Sequence, residues 1–107
     1  MKGFGGGMQN LMKQANQMQN KMKKVQEDFV TQMFTGTAGG GAVEVTVNGD
    51  YFIQTMTVKP EVMEGGDVEM ATEMIQIATN DAIKNAKDEY KKAMESVTGG
   101  ASLPGMF

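Results

Sequence analysis

Ten lysines and thirteen carboxylates carry the charge of this 107-residue chain, and they are not evenly placed. Up to Gln26 the sequence holds Lys2, Lys13, Lys21, Lys23 and Lys24 and not one Asp or Glu. The remaining residues hold five lysines against all thirteen acids, so a chain of net charge −3 joins a purely basic stretch to a body of net −8. An ammonium group is a compact point charge suited to phosphate, and the Asn and Gln between these lysines are of a type that hydrogen-bonds phosphate or bases. Ordinary solvated helices interleave both signs, so the missing acids are the informative feature. There is no Arg, which removes the bidentate reading of guanine, and the bland reading of these lysines is a solvated helix face.

Other chemistry is poorly supplied. With no His and no Cys, the usual nucleophile–base pairs, disulfides and thiolate metal sites are excluded. The carboxylates between Glu61 and Glu73 lack the Asp-x-Asp-x-Asp-Gly spacing of a calcium loop, and their simpler role is solvation and helix capping. Gly3 and Gly5 begin a G-x-G pattern whose third glycine falls on Met8, with no strand before it. Gly36 and Gly41 have the spacing of a P-loop, but Ala42-Val43 stands where Lys-Ser/Thr must be. The sequence therefore predicts a protein without catalysis, cofactor, metal or small-molecule substrate.

The basic residues need a helix to display them, and Met8 to Met33 supplies one. Met8, Leu11, Ala15, Met18, Met22, Val25 and Phe29 recur at alternating steps of three and four, a heptad seam narrower than the face a globular helix gives its own core. The expectation is a helix ending near Phe29 or Val30 whose seam meets a second copy of the chain. Met1–Gly7 reads as a flexible glycine-rich leader.

From Thr31 to Thr37 the composition turns to β-branched, aromatic and glycine residues, which predicts a first strand. Gly39-Gly40-Gly41 reads as a turn. Val43, Val45 and Val47 alternate with Glu44 and Thr46 as in a strand with one buried face. Asn48-Gly49 predicts a type I′ hairpin with Gly49 at positive φ, returning along Tyr51–Val58. In that return strand Ile53 has one parity and Met56 and Val58 the other, which calls for a bulge or burial on both faces. Asp67 is placed as the N-cap of a second long helix. Its apolar stripe, Val68-Ala71-Ile75-Ala78-Ala82, gives way to a rotated one, Ile83-Ala86-Tyr90-Ala93-Val97, which marks a bend or a change of packing partner near Asn80 or Asp81. Lys84, Lys87 and Lys91 line one face of this helix with Lys92 beside them, while Asp88, Glu89 and Glu95 dilute their field. Residues 99–107 read as a tail. The whole chain, 1–107, is one α+β domain of two layers: a three-stranded antiparallel meander and two long helices. No run is long and apolar enough to cross a membrane, and a soluble cytoplasmic protein is expected.

Taken in order, Leu11-Met12-Lys13-Gln14-Ala15 with Gln17-Met18-Gln19, Gly36-Thr37-Ala38-Gly39-Gly40-Gly41, Val45-Thr46-Val47-Asn48-Gly49, Ala78-Thr79-Asn80-Asp81-Ala82 and the ending Leu103-Pro104-Gly105-Met106-Phe107 resemble the YbaB/EbfC family of bacterial nucleoid-associated proteins. The resemblance spans nearly the whole chain. It implies an α-β-β-β-α core, a tight homodimer whose helices project like tweezer arms, and non-catalytic binding of double-stranded DNA in the nucleoid. Its DNA-contacting positions on the first and last helices map to Lys13, Lys21, Lys23 and Lys24, and to Lys84, Lys87, Lys91 and Lys92. The competing expectation is a protein-interaction module that holds another protein on its methionine-rich helices.

Overall fold

A computed structural model describes residues 2–99. The elements run α1 (Lys2–Val30), β1 (Met33–Ala38), β2 (Val43–Asn48), β3 (Ile53–Val58), α2 (Pro60–Glu64) and α3 (Val68–Thr98), with a 3₁₀ turn at Gly39–Gly41 between the first two strands. The predicted α-β-β-β-α order is present, with a one-turn helix added. Pro60 suits the first turn of that helix, and after a strand the same Lys59-Pro60-Glu61 has the pattern of a terminator, so the sequence alone does not tell the two apart. Helix α1 begins at Lys2, six residues before the expected start, and the 100–107 part of the expected tail lies outside the described residues.

The sheet is the predicted antiparallel meander, in the order β1-β2-β3. Strand β2 is central, and Val43, Val45 and Val47 on its inner face are wholly buried. Against them lies the small-residue stripe Ala78, Ala82 and Ala86 of α3, also wholly buried. Alanines let helix and sheet approach closely, and Gly36 closes the remaining gap. A methyl group at Gly36 would overlap the Ala82 amide nitrogen and the Ala78 carbonyl oxygen. The register shift falls between Thr46 and Val47, which pair with Thr55 and Ile53, so Gln54 is the extra residue and the parity conflict of the return strand is resolved by a bulge.

The two sheet edges are treated differently. On β1 the backbone N–H of Thr37 donates to Asp81 Oδ2 at 3.1 Å, and Asn85 Nδ2 donates to the Thr35 carbonyl at 2.8 Å. Two side chains of α3 thus occupy that edge, as a protein must do to stop a strand from pairing with strangers. On β3 every residue but Val58 is exposed. Ile53 and Met56 pair with Val47 and Val45, so they share the face of the buried valines but lie beyond the cover that α3 gives.

The hairpin is where it was predicted but is built otherwise. Tyr51 N–H donates to the Asn48 carbonyl and Asn48 N–H to the Phe52 carbonyl, closing a three-residue loop. Asn48 Oδ1 accepts from the N–H groups of Asp50 and Phe52 at 2.9 and 3.1 Å. The left-handed residue of this loop is Tyr51, at φ 66°, and Gly49 is not among the residues of positive φ. Gly49 is required for a different reason: its Cβ would collide with the Phe29 carbonyl.

Asp67 caps α3 as expected, its carboxylate accepting from Met70 N–H at 2.9 Å, and Gly99 in the left-handed region ends the helix. Val68, placed on the buried stripe by its spacing, is instead 77% exposed. The change of stripe along α3 is a change of packing partner. Up to Ala86 the helix covers the sheet, and from Tyr90 onward it meets α1. Phe29 sits between them, 4.8 Å from Phe34 and 5.0 Å from Tyr90 by ring centroids, and Gln26 Nε2 donates to Tyr90 Oη at 3.2 Å. The helices run antiparallel: Phe29 lies beside Tyr90, and Lys21 and Val25 beside Val97. At 1.5 Å per residue α1 continues roughly 25 Å past the end of α3, consistent with a longest dimension of 78 Å against 22 and 17 Å.

Candidate nucleic-acid interface

The projecting helix is where the uncompensated lysines sit. Lys13, Lys21, Lys23 and Lys24 are all exposed, and none makes an ion pair among the described residues. Eleven helical steps of 100° bring Lys24 to within about 20° of Lys13, with Lys21 about 80° round on the same side and Lys23 on the other flank. Gln14, Gln17, Asn10 and Asn20 lie exposed among them. This is a positive surface with amide donors and no carboxylate of its own until Glu27.

The lysines of α3 are differently situated. Lys84 Nζ lies 2.9 Å from Asp88 Oδ2, and Lys92 Nζ 3.4 Å from Glu89 Oε1. The hydrogen bond from Lys84 holds the Asp88 carboxyl below its ordinary range, and the same bond, aided by the charge of Asp88, raises the Lys84 ammonium. Lys87 Nζ stands 5.7 Å from the centroid of the Tyr51 ring, a cation–π contact that ties it to the hairpin. Lys91 makes no ion pair among the described residues. The two basic groups named from the sequence therefore differ in pairing: the lysines of α1 make no ion pair among the described residues, whereas two of those on α3 do.

Where the arm leaves the body, α1 and α3 enclose an open cleft of about 350 Å³ lined by Lys21, Lys24, Val25 and Asp28 on one side and Ser96 and Val97 on the other. Ser96 and Asp28 were not singled out from sequence. Nothing in the local pattern brings Ser96 to Lys21; only the antiparallel packing of the helices does.

The seam named from the sequence divides in two. Phe29 is buried in the chain's own core, and Met18, Met22 and Val25 are half-buried. Met8 and Leu11 remain 62% and 67% exposed, and Ala15 is exposed with them. Among the described residues no group of His, Cys, Asp and Glu is arranged to hold a metal ion, and no helix is long and apolar enough to cross a membrane.

A three-stranded sheet that carries a projecting helix with exposed lysines defines an α+β protein of α-β-β-β-α order. The comparisons narrow that class. The model of the YbaB/EbfC DNA-binding family matches residues 4–101, and the chain belongs to that family. It is 44% identical over 105 residues to a nucleoid-associated protein of Clostridium kluyveri, covering 98% of this chain and 92% of the relative. It is 46% identical over 107 residues to one of Clostridium novyi, covering 98% and 94%. The crystal structure of an uncharacterised Helicobacter pylori protein superposes with a TM-score of 0.67 at 22% identity, over 83% of this chain and 94% of that one, which supports the fold alone.

Proposed function

We propose that the chain is a nucleoid-associated DNA-binding protein that acts as a homodimer, grips the duplex backbone with its lysine-bearing helices, and so takes part in organising the nucleoid and regulating genes from the cytoplasm. The carrying observation is the first helix: four exposed lysines with no acid before Glu27 and no ion pair among the described residues. Such a surface neutralises phosphates and releases counterions without reading base edges, so binding falls steeply with salt and varies little with sequence. Lys13, Lys21, Lys23 and Lys24 carry most of it. Lys84, Lys87, Lys91 and Lys92 contribute less, since three of them are engaged within the chain. No catalytic step enters this role.

The second copy is placed on the uncovered side of β3. Its inner-face residues Ile53 and Met56, with Phe52 beside them at 68% exposure, continue a core that α3 leaves open on that side. This assignment leaves Phe29 in the monomer core and the inner seam against α3. Binding of unrelated duplexes over a salt series tests the DNA reading, with Lys21→Glu, Lys23→Glu and Lys24→Glu combined as the variant. A steep, sequence-independent salt slope that the variant abolishes supports it; a salt-insensitive complex, or an unaltered variant, overturns it. Sedimentation of Ile53→Glu with Met56→Glu tests the dimer, and an intact dimer would remove β3 from the interface. The exposed Met8, Leu11 and Met12 favour a second reading, a module that holds another protein, which gains if the salt series shows no DNA affinity.

A further inference from the structure

Both tyrosines of the chain line one hollow. It measures about 220 Å³ and opens where the end of α1 meets the β2–β3 hairpin and α3, with Gln26, Phe29, Val30, Asp50, Tyr51 and Tyr90 around it. Its charge is of one sign. Asp50 is the charged residue of the lining, and its exposed carboxylate makes no ion pair or hydrogen bond among the described residues. Val30 ends α1, and the last carbonyls of a helix are the negative end of its dipole. Tyr90 Oη accepts from Gln26 Nε2 at 3.2 Å, which ties the two walls together. Tyr51 is held at φ 66°, a backbone conformation disfavoured for an aromatic residue. Lys87 Nζ stands 5.7 Å from the centroid of its ring without lining the hollow, so this ring already serves as the partner of a cation.

A carboxylate, tyrosine rings and a helix C-terminus each favour a cation and repel or ignore an anion. Among organic cations the planar guanidinium uses most of them at once. It stacks on aromatic rings and pairs with a carboxylate through two parallel N–H bonds. The chain has no Arg, so a guanidinium here comes from another molecule. A free amino acid would bring an α-carboxylate, for which the lining holds no positive charge; inside a protein the same group is a neutral amide. We propose that the hollow receives an arginine side chain of a partner protein, its guanidinium on the Asp50 carboxylate and against the tyrosine rings. The contact is separate from the β3 pairing and does not rest on the DNA reading. It gives the hairpin a task of its own: to hold Asp50 and Tyr51 over the end of α1 as a receptor for one basic side chain.

NMR of the full chain without DNA tests the contact, because the ring-proton resonances of the chain's two tyrosines both report on the hollow. The probe is acetyl-Gly-Arg-Gly-amide, compared with the same peptide carrying citrulline, whose urea has the shape of a guanidinium without its charge. The arginine peptide is expected to shift both tyrosines saturably with a Kd of about 1 mM, the scale of a single charged contact with ring stacking. The citrulline peptide should bind about fivefold more weakly or worse, and Asp50→Asn should weaken the arginine peptide by a similar factor. That substitution keeps the loop, since the backbone N–H of Asp50, not its carboxylate, bonds Asn48. Glu44→Gln, which removes an acid from the exposed face of β2, should leave binding unchanged. Equal binding of the two peptides, an unaltered Asp50→Asn, or an equal loss in Glu44→Gln would overturn the proposal. Free arginine binding more tightly than the peptide would overturn the partner protein as the source, and spermidine doing so would overturn the guanidinium.

Discussion

Helices α1 and α3 are nearly equal in length, at 29 and 31 residues, and each carries four of the lysines assigned to DNA, yet they are held in opposite ways. Helix α3 lies on the sheet through alanines at 78, 82 and 86, occupies an open strand edge with Asp81 and Asn85, and pairs two of its lysines with its own acids. Among the described residues, helix α1 touches the body at its C-terminal end, through Phe29, Gln26 and the residues facing Ser96 and Val97. One helix maintains the fold; the other is maintained by it and reaches outward. A stable body can therefore carry an arm whose lysines have no competing partner.

The largest effect that would sharpen this contrast is on stability. Gly36→Val would drive a side chain into the α3 backbone at Ala78 and Ala82, where a flexible neighbour cannot move aside. A loss of about 3 kcal/mol or more, at the upper end for overpacking because the obstacle is backbone, is expected in denaturant unfolding. Gln17→Ala on the exposed arm should stay within about 0.5 kcal/mol of wild type. Equal losses at both positions would mean that α1 is as firmly held as α3.

The second effect is on DNA affinity. Each lysine in contact with duplex phosphate contributes about 0.9 to the log–log salt slope. Lys21→Ala and Lys24→Ala should each remove close to that amount per protomer. Lys84→Ala and Lys92→Ala should remove less, since Asp88 and Glu89 already hold their ammonium groups. Lys59→Ala, between β3 and α2, should leave the slope unchanged. If Lys84→Ala costs as much slope as Lys24→Ala, the division of labour between the helices is lost.

How far this division could be read from sequence depends on where its causes lie. Local causes were legible: the Asp67 cap, the valine alternation of β2, the parity break between Ile53 and Met56 that a bulge or two-sided burial would reconcile, and the acid-free lysine run all follow from neighbours in the chain. Causes that lie across the fold were not. The change of partner along α3 was visible as a rotated stripe, but that α1 is the second partner was not. The seam on α1 looked uniform because Met8 and Phe29 obey the same spacing. Among the described residues, the reach of α3 to Thr98 decides that Phe29 is covered and Met8 exposed.

The hairpin supplies the third effect, because it anchors α1 to the sheet. Gly49 was expected to need positive φ and instead needs to lack a side chain beneath the Phe29 carbonyl. Gly49→Val should therefore destabilise by about 2 kcal/mol or more through the collision with α1. Tyr51→Gly should change stability less, as relief of its left-handed backbone opposes the loss of the ring beside Lys87. If Tyr51→Gly proves the more damaging of the two in thermal melts, the hairpin is held by its ring, and the junction with α1 is secondary.

The smallest effect tests whether the ion pairs of α3 restrain its lysines. In the folded chain the Asp88 carboxyl is lowered by its hydrogen bond from Lys84, and the Lys84 ammonium is raised by the same bond. A lowered carboxylate contributes stability above its unfolded value and loses it as pH falls through the folded value. A raised ammonium contributes below its unfolded value and loses it as pH rises through the folded one. The melting-temperature difference between wild type and Asp88→Asn should therefore be present across the neutral range and fade at both extremes. Both side chains are exposed, so the difference should be small and shrink with added salt. The same substitution frees Lys84, so the DNA salt slope should steepen as the melting temperature falls. A slope that does not steepen would show that pairing with Asp88 is not what limits Lys84, and that its place on the body, away from the arm, already keeps it from the duplex.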